Sequence, residues 1–196
     1  AFPFFVYMDM EKDAIFELAE RYVTCTGKSV FLTGKAGTGK TTFLKHITGT
    51  TSKRFVVLAP TGVAAINAGG STIHSFFQLP LCPYLPDVKE LITEYQTPER
   101  YRSLRKERVK IIRTLDLLII DDLGAELANQ FTVSCLYNLL NVRINRRAAT
   151  IISTNLTQHE LFKKYNDRIT SRIIGEFRIL PFTGADIRMQ KIKPKG

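Results

Sequence analysis

Apolar and polar positions fall into two alternating rhythms along this chain. Four compact apolar runs, 29–33 (SVFLT), 54–59 (RFVVLA), 115–121 (LDLLIID) and 149–154 (ATIIST), have the length and β-branched content of strands buried on both faces. A fifth short run closes the series near 177–180. Helical patterns lie between them. Residues 10–24 set Met10, Ala14, Leu18 and Tyr22 on one face, and a second helix runs from about 40 to 47. A small-residue helix at 63–70 (VAAINAGG) leads into STIHSFF, and Pro80, Pro83 and Pro86 mark a loop. Thr97-Pro98 reads as an N-cap with proline at the first helical position, opening a helix to about Arg113. Residues 129–146 form a long helix, and Thr157-x-x-Glu160 is a capping box that opens the next. Strands alternating with helices predict an α/β fold of three layers, with a central parallel sheet.

Composition narrows the class. With 196 residues, 44% hydrophobic and 23% charged, the chain can bury a core without staples. That excludes a disordered tail, a collagen-like rod and a disulfide-framed miniprotein. Cys25, Cys82 and Cys135 are odd in number and far apart, so neither a disulfide framework nor a zinc site is expected, and a reducing compartment fits. No apolar stretch approaches the ~20 residues that span a bilayer. The run AFPFFVYM lacks a basic leader and meets Asp9, Glu11 and Asp13, a poor signal peptide. The expectation is one cytoplasmic domain over 1–196, without membrane contact.

Charge adds a partner. The net charge of +10 is uneven: residues 1–95 carry 9 Lys and Arg against 8 Asp and Glu, whereas 96–196 carry 19 against 10. A basic half invites an anionic polymer, most simply nucleic acid, with a merely soluble basic surface as the alternative.

The chemistry concentrates after the first strand. Gly34-Lys35-Ala36-Gly37-Thr38-Gly39-Lys40-Thr41 matches GxxxxGK[ST] between a strand and a helix, with Thr42 following. Glycines let backbone N–H groups wrap a β-phosphate, and the helix N-terminus adds its dipole. Lys40, read as an exposed loop lysine, reaches the β- and γ-phosphates, and the Thr41 hydroxyl ligates Mg²⁺. Asp121 and Asp122 end the third apolar run, where the metal's second protein contact must come from. Asp121 is expected to hold Mg²⁺ directly or through water, and Asp122 to accept a proton from the attacking water. Ser153-Thr154-Asn155 ends the next strand, where Asn155 can orient that water. ATP and Mg²⁺ are the expected cofactors of a P-loop NTPase.

Two resemblances meet at the third strand. From about residue 9 to Asp121 the chain resembles superfamily-one DNA helicases of the Pif type, on VFLTGKAGTGKTTFL, VVLAPTGVAAINAGGSTIHSFFQLP and RSLRKERVKIIRTLDLLIID. That resemblance implies that the segment after the second strand contacts single-stranded DNA, with Thr61, Gly62, His74 and Phe77 as candidates. From about Leu117 to Ile192 it resembles helicase loaders of the DnaC/DnaI type, members of the AAA+ ATPases, on LLIIDDLGAE, TIISTNL, YNDRITSRIIGEF and FTGADIRMQK. This implies Asn155 as first sensor, Arg172 (or Arg168) as a finger reaching a neighbouring subunit's nucleotide, and Arg188 as second sensor. The halves join near 117–122, at the strand both families share. A recombinant of a common RecA/AAA+-like core is the reading. Departures remain: no helicase motifs or second RecA-like domain follow the third strand, and no adenine-reading glutamine lies in 9–24.

The helix from Thr97 adds Arg102, Arg105 and Lys106 as candidate phosphate contacts, although a run of charges on a helix is also what a solvated face looks like. Phe76 and Phe77 could stack bases, with at least one expected in the core. The function implied is a Mg·ATP-hydrolysing ATPase acting on DNA in replication or genome maintenance, motor-like or loader-like. The alternatives are a nucleotide-dependent switch for a replicative helicase and an isolated Pif-like motor fragment. Single-stranded DNA is the expected partner, with a replicative helicase or self-association beside it.

Overall fold

The structure, a computed structural model, describes residues 12–77, 99–126 and 130–183. Six strands form one sheet: β1 (Val30–Thr33), β2 (Phe55–Ala59), β3 (Ser71–Thr72), β4 (Leu117–Leu123), β5 (Ala149–Thr154) and β6 (Arg178–Pro181). Their order is β3-β2-β4-β5-β1-β6, and every pairing is parallel. The helices are α1 (Lys12–Cys25), α2 (Lys40–Thr50), α3 (Gly62–Ala68), α4 (Ile73–Phe77), α5 (Glu99–Thr114), α6 (Gln130–Asn145), α7 (Gln158–Lys164) and α8 (Asp167–Glu176).

Strand side chains alternate between two cores, and that alternation makes the three layers. Leu117, Ile119 and Ile151 join Phe43, Leu44 and Ile47 of α2 and Ile15, Ala19 and Val23 of α1. Leu118, Ile120 and Ile152 face the other way, onto Ile112 of α5, Leu136 and Leu140 of α6, and Ile169 and Ile173 of α8. The expected fold class, a parallel-sheet P-loop architecture, is present.

One expectation changes, and two segments gain detail. The buried stripe of α1 is Ile15–Ala19–Val23, with Ala14, Leu18 and Tyr22 only half-buried; Met10 lies outside the described residues. STIHSFF opens with an edge strand, β3, before the short helix α4. The segment after the capping box is two helices, because the Asn166 side chain accepts from Ile169 N and restarts the chain as α8. The capping box itself forms: Thr157 N donates to Glu160 Oε2 at 2.7 Å, and Glu160 N to Thr157 Oγ1 at 3.3 Å. The proline loop at 80–86, Thr97-Pro98 and Arg188 lie outside the described residues.

One buried cation ties the layers together. Arg143 of α6 is 1% exposed. Its guanidinium donates to the carbonyls of Ile112 (3.0 Å), Leu115 (2.7 Å) and Ala149, and to Thr150 Oγ1 (3.3 Å). Burial pulls its pKa down to about 10, against a smaller opposing pull from Asp116. Carbonyls at the end of α5 and at the start of β5 thus converge on one side chain.

Candidate nucleotide site

The chain leaves β1 through a loop whose path only glycine permits. Gly34 has φ 147°, and a Cβ there would lie 2.1 Å from the Phe182 carbonyl oxygen. Phe182 is held there because its N–H donates to Thr33 O at 2.7 Å. Gly39, with φ 99°, is the N-cap of α2 and offers no side chain to its first turn. The opening N–H groups of α2 therefore face the loop, together with the positive end of the helix dipole. Such a concavity receives anions.

Lys40 corrects an expectation. It is 6% exposed, and its ammonium donates to Gly34 O at 2.6 Å and Lys35 O at 2.9 Å. The charge is held inside the turn by two loop carbonyls, so the residue shapes the loop as well as carrying charge. Thr38 Oγ1 also closes the loop, donating to Lys35 O at 3.0 Å. Ala36 occupies the loop between them.

The ends of β4 and β5 meet this loop. Thr41 Oγ1 donates to Asp121 Oδ2 at 3.4 Å, and Asp121 is only 2% exposed. The other oxygen of Asp121 accepts from the Ser153 hydroxyl. Here the ladder is broken: Ile120 pairs with Ile152, yet Leu123 pairs with Thr154, so β4 carries one extra residue. Asp122 absorbs the extra step with φ 58°, an unusual value for a side-chain-bearing residue. Its N–H donates to Ser153 Oγ at 2.9 Å, and its Oδ1 accepts from Asn155 Nδ2 at 2.7 Å. Thr154 Oγ1 closes the bulge on Leu123 O at 2.6 Å.

These groups line a cleft of about 250 Å³ bounded by Gly37, Gly39 and Lys40 to Thr42 on one side and by Asp121, Asp122, Ser153 and Asn155 on the other. Lys45 of α2 and Ala64 and Asn67 of α3 complete the wall, and none was anticipated. Lys45 stands one turn beyond Thr41 on the same helix face, the one signal that could have found it. The hydroxyl and carboxylate of Thr41 and Asp121 are hard oxygen donors, few in number. That is the protein set Mg²⁺ takes beside phosphates and water. Among the described residues no cluster of three His, Cys, Asp or Glu competes for a metal.

The arginines go elsewhere. Arg172 stacks its guanidinium 4.6 Å from the centre of the Tyr137 ring and donates to Asn141 Oδ1 and, at 3.1 Å, to Tyr137 Oη. Arg168 is exposed on α8. Neither lines the cleft.

The helicase-like segment is placed as follows. Thr61 caps α3 by accepting from Ala64 N at 3.3 Å, and Gly62 opens that helix in exposed surroundings. His74 and Phe77 line an apolar slot with Pro60, Leu123 and Cys135. Phe77 packs edge-on against buried Phe76, and Arg108 lies 5.1 Å over the Phe76 ring. Phe76 is thus core, and Phe77 is half-buried beside it. Arg102, Arg105 and Lys106 sit on α5, and their side chains are outside the described set. No helix among the described residues is long and apolar enough to cross a membrane.

Against known proteins, the family model for PIF1-like helicases matches residues 7–129. The ATP-dependent DNA helicase Pif1 of Campylobacter jejuni is 30% identical over 106 residues, 53% of this chain and 23% of that protein. The crystal structure of a Bacteroides Pif1 helicase in complex with ADP-AlF3 and ssDNA superposes with a TM-score of 0.58 at 27% identity, covering 90% of this chain and 43% of that one. The DnaC helicase loader is similar in fold, with a TM-score of 0.60 at 17% identity over 92% of this chain and 94% of that one. The chain thus spans less than a quarter of the Campylobacter relative and under half of the Bacteroides structure.

Proposed function

This chain belongs to the PIF1-like helicases, and from that membership we propose that it binds and hydrolyses Mg·ATP as a DNA-associated motor domain in replication or genome maintenance. The observation that carries the reading is the convergence of Thr41, Asp121, Ser153, Asp122 and Asn155 at the mouth of one glycine-lined loop. The relative solved with ADP-AlF3 and ssDNA supports a nucleotide in the cleft and single-stranded DNA as partner. The insertion of β5 between β4 and β1 supports treating the whole chain as one working unit.

In this reading the loop amides and the α2 N-terminus hold the β-phosphate. Lys40 turns from its loop carbonyls toward the β- and γ-phosphates. Thr41 and Asp121 hold Mg²⁺, which when bound neutralises charge on the phosphate oxygens. Asp122 takes the proton of the attacking water, and Asn155 fixes the carboxylate that does so. Asn155 would thus act through Asp122 as well as on the water.

One feature favours slow turnover by the chain alone. Among the described residues no arginine lines the cleft, and Arg172 is occupied by Tyr137 and Asn141. An arginine delivered to the transferring phosphate is worth about 10³–10⁵ in rate. Turnover would then wait for an arginine brought by a neighbouring subunit or a partner helicase, and the domain between such events would act as a nucleotide switch. Steady-state phosphate release, with and without single-stranded DNA and across protein concentrations, tests both parts. Release that is absent under every condition despite tight Mg·ATP binding would leave only the switch. Fast release by dilute monomer without DNA would overturn the need for a delivered arginine.

A further inference from the structure

The sheet edge opposite the cleft carries a row of cations that none of these roles uses. In a parallel sheet all strands begin at one edge. A cation stands at the start of five of the six: Arg54 before β2, Arg113 before β4, Arg146 and Arg147 before β5, Lys28 before β1, and Arg178 opening β6. Hydrogen bonds to backbone carbonyls tie neighbouring strand starts together. Leu117 N donates to Arg54 O at 3.1 Å, Arg146 Nη1 to Arg113 O at 3.0 Å, and Arg178 N to Ser29 O at 2.9 Å. A Cβ on Gly27, beside Lys28, would lie 3.8 Å from Arg147 O. All six are exposed. The acids the described residues place here are Asp116, held by Arg54, and Glu176. The other five cations have no acidic partner among the described residues. Helix C-termini favour cations at such an edge, but they do not require an unbroken row across five adjacent strands.

We propose that this edge is a second nucleic-acid contact, a track for the phosphodiester backbone at the end of the sheet remote from the nucleotide cleft. Five adjacent strands span ~19 Å, the rise of about five to six nucleotides. Arginine dominates the row, and its planar fork takes phosphate oxygens two at a time. An acidic protein or a membrane would need apolar anchors as well. The exposed large apolar residues among those described, Val63, Ile66 and Phe162, stand on α3 and α7 instead. The edge offers charge without base-reading groups, so its binding is independent of sequence.

The inference goes beyond the ATPase reading and fails separately from it. The probe is a fluorescent 20-nucleotide oligothymidylate titrated with the full chain across a salt series. Replacing Arg146→Glu, Arg147→Glu and Arg178→Glu together is expected to make the slope of log K against log salt shallower by about 2, from roughly −0.7 per phosphate contact. Mg·ATP binding should stay at the wild-type level. Glutamine at the same three positions keeps the experiment readable should the reversal not fold, and it should shift the slope in the same direction. Lys28 should also be protected from acetylation by the oligonucleotide and not by Mg·ATP. An unchanged slope in the folded variants, or Lys28 labelled equally with and without oligonucleotide, overturns the proposal. So does loss of binding to phosphatidylserine vesicles or polyglutamate while oligonucleotide binding persists. A wild-type chain that fails to bind Mg·ATP would sink the ATPase reading and leave this one standing.

Discussion

Ser153→Ala removes a single hydroxyl with two partners, and both belong to the acidic end of β4. The hydroxyl gives its hydrogen to Asp121 and accepts the N–H of Asp122 at 2.9 Å. Without it a part-buried N–H at the bulge loses its acceptor, a cost of about 1–3 kcal/mol. The left-handed step at Asp122, φ 58°, itself stores about 1–2 kcal/mol, and its peptide is then free to relax. Asp121 keeps the Thr41 contact at 3.4 Å but loses the bond that fixes its rotamer. Groups that orient a metal ligand in this way typically contribute 10–100-fold to metal affinity. The Mg²⁺ concentration that half-saturates ATP binding should therefore rise roughly 10–100-fold. The melting temperature should fall by about 2–8 °C for a 1–2 kcal/mol loss in a chain of this size. Binding is read with a fluorescent ATP analogue in a Mg²⁺ titration, alongside a thermal melt. Thr154→Val is the control, since it removes the 2.6 Å bond to Leu123 O at the same bulge without touching Asp121. It should lower the melting temperature and leave the Mg²⁺ midpoint in place. If Ser153→Ala melts lower but moves the midpoint by less than about 3-fold, well under the usual effect of such a partner, Ser153 supports only the strand.

Lys40→Ala should abolish most triphosphate affinity and also loosen the loop, because its ammonium satisfies Gly34 O and Lys35 O; calorimetry that finds ATP binding unchanged would remove the site from this loop. Asp122→Asn should still bind Mg·ATP, since Asp122 is not the residue paired with Thr41, but should slow hydrolysis about 10²–10⁴-fold; a wild-type rate of phosphate release would exclude it as the base. Arg143→Met strands the carbonyls of Ile112, Leu115 and Ala149. It should cost about 3 kcal/mol, or roughly 6–12 °C in the melt, and a loss below about 1 kcal/mol would mean that the carbonyls find water.

What the sequence yields and what it hides divide along physical lines. The phosphate loop is legible because its glycines, lysine and threonine answer to backbone geometry within eight consecutive residues. Strands β1, β2, β4 and β5 are legible because a strand covered on both faces must be apolar throughout. The two-residue β3 has no such run, and only its pairing with Leu58 and Ala59 makes it a strand. Apolar residues surround most of α1, so two stripes fit its period; contact with α2 and the sheet selects Ile15, Ala19 and Val23. Ser153 reads as an ordinary residue in an apolar run until the register exposes the bulge opposite it. The burial of Arg143 is invisible in its own helix, because the carbonyls that replace its water come from Ile112, Leu115 and Ala149, distant or across a turn. Lys40 reads as exposed for the same reason: its partners are carbonyls, which sequence does not display.

The position of β5 decides how the two resemblances are joined. The PIF1-like match ends at residue 129, past β4, while β5 and β6 lie in the remainder. Yet β5 does not extend the sheet at an edge; it is wedged between β4 and β1. Its Ile151 lies beside both Ile119 and Val30, and its Ile152 beside both Ile120 and Phe31. The strand ends then meet at the cleft, where the two acids of β4 take hydrogen bonds from the end of β5 and the residue after it, Asp121 from Ser153 and Asp122 from Asn155. The loop and the acids therefore come from one stretch of sequence, and their orientation comes from the other. A chain cut after residue 129 would keep the phosphate loop and both aspartates but lose the strand between β4 and β1. By this geometry neither stretch builds the site alone, and the strand beyond the PIF1-like match is the one that aims it.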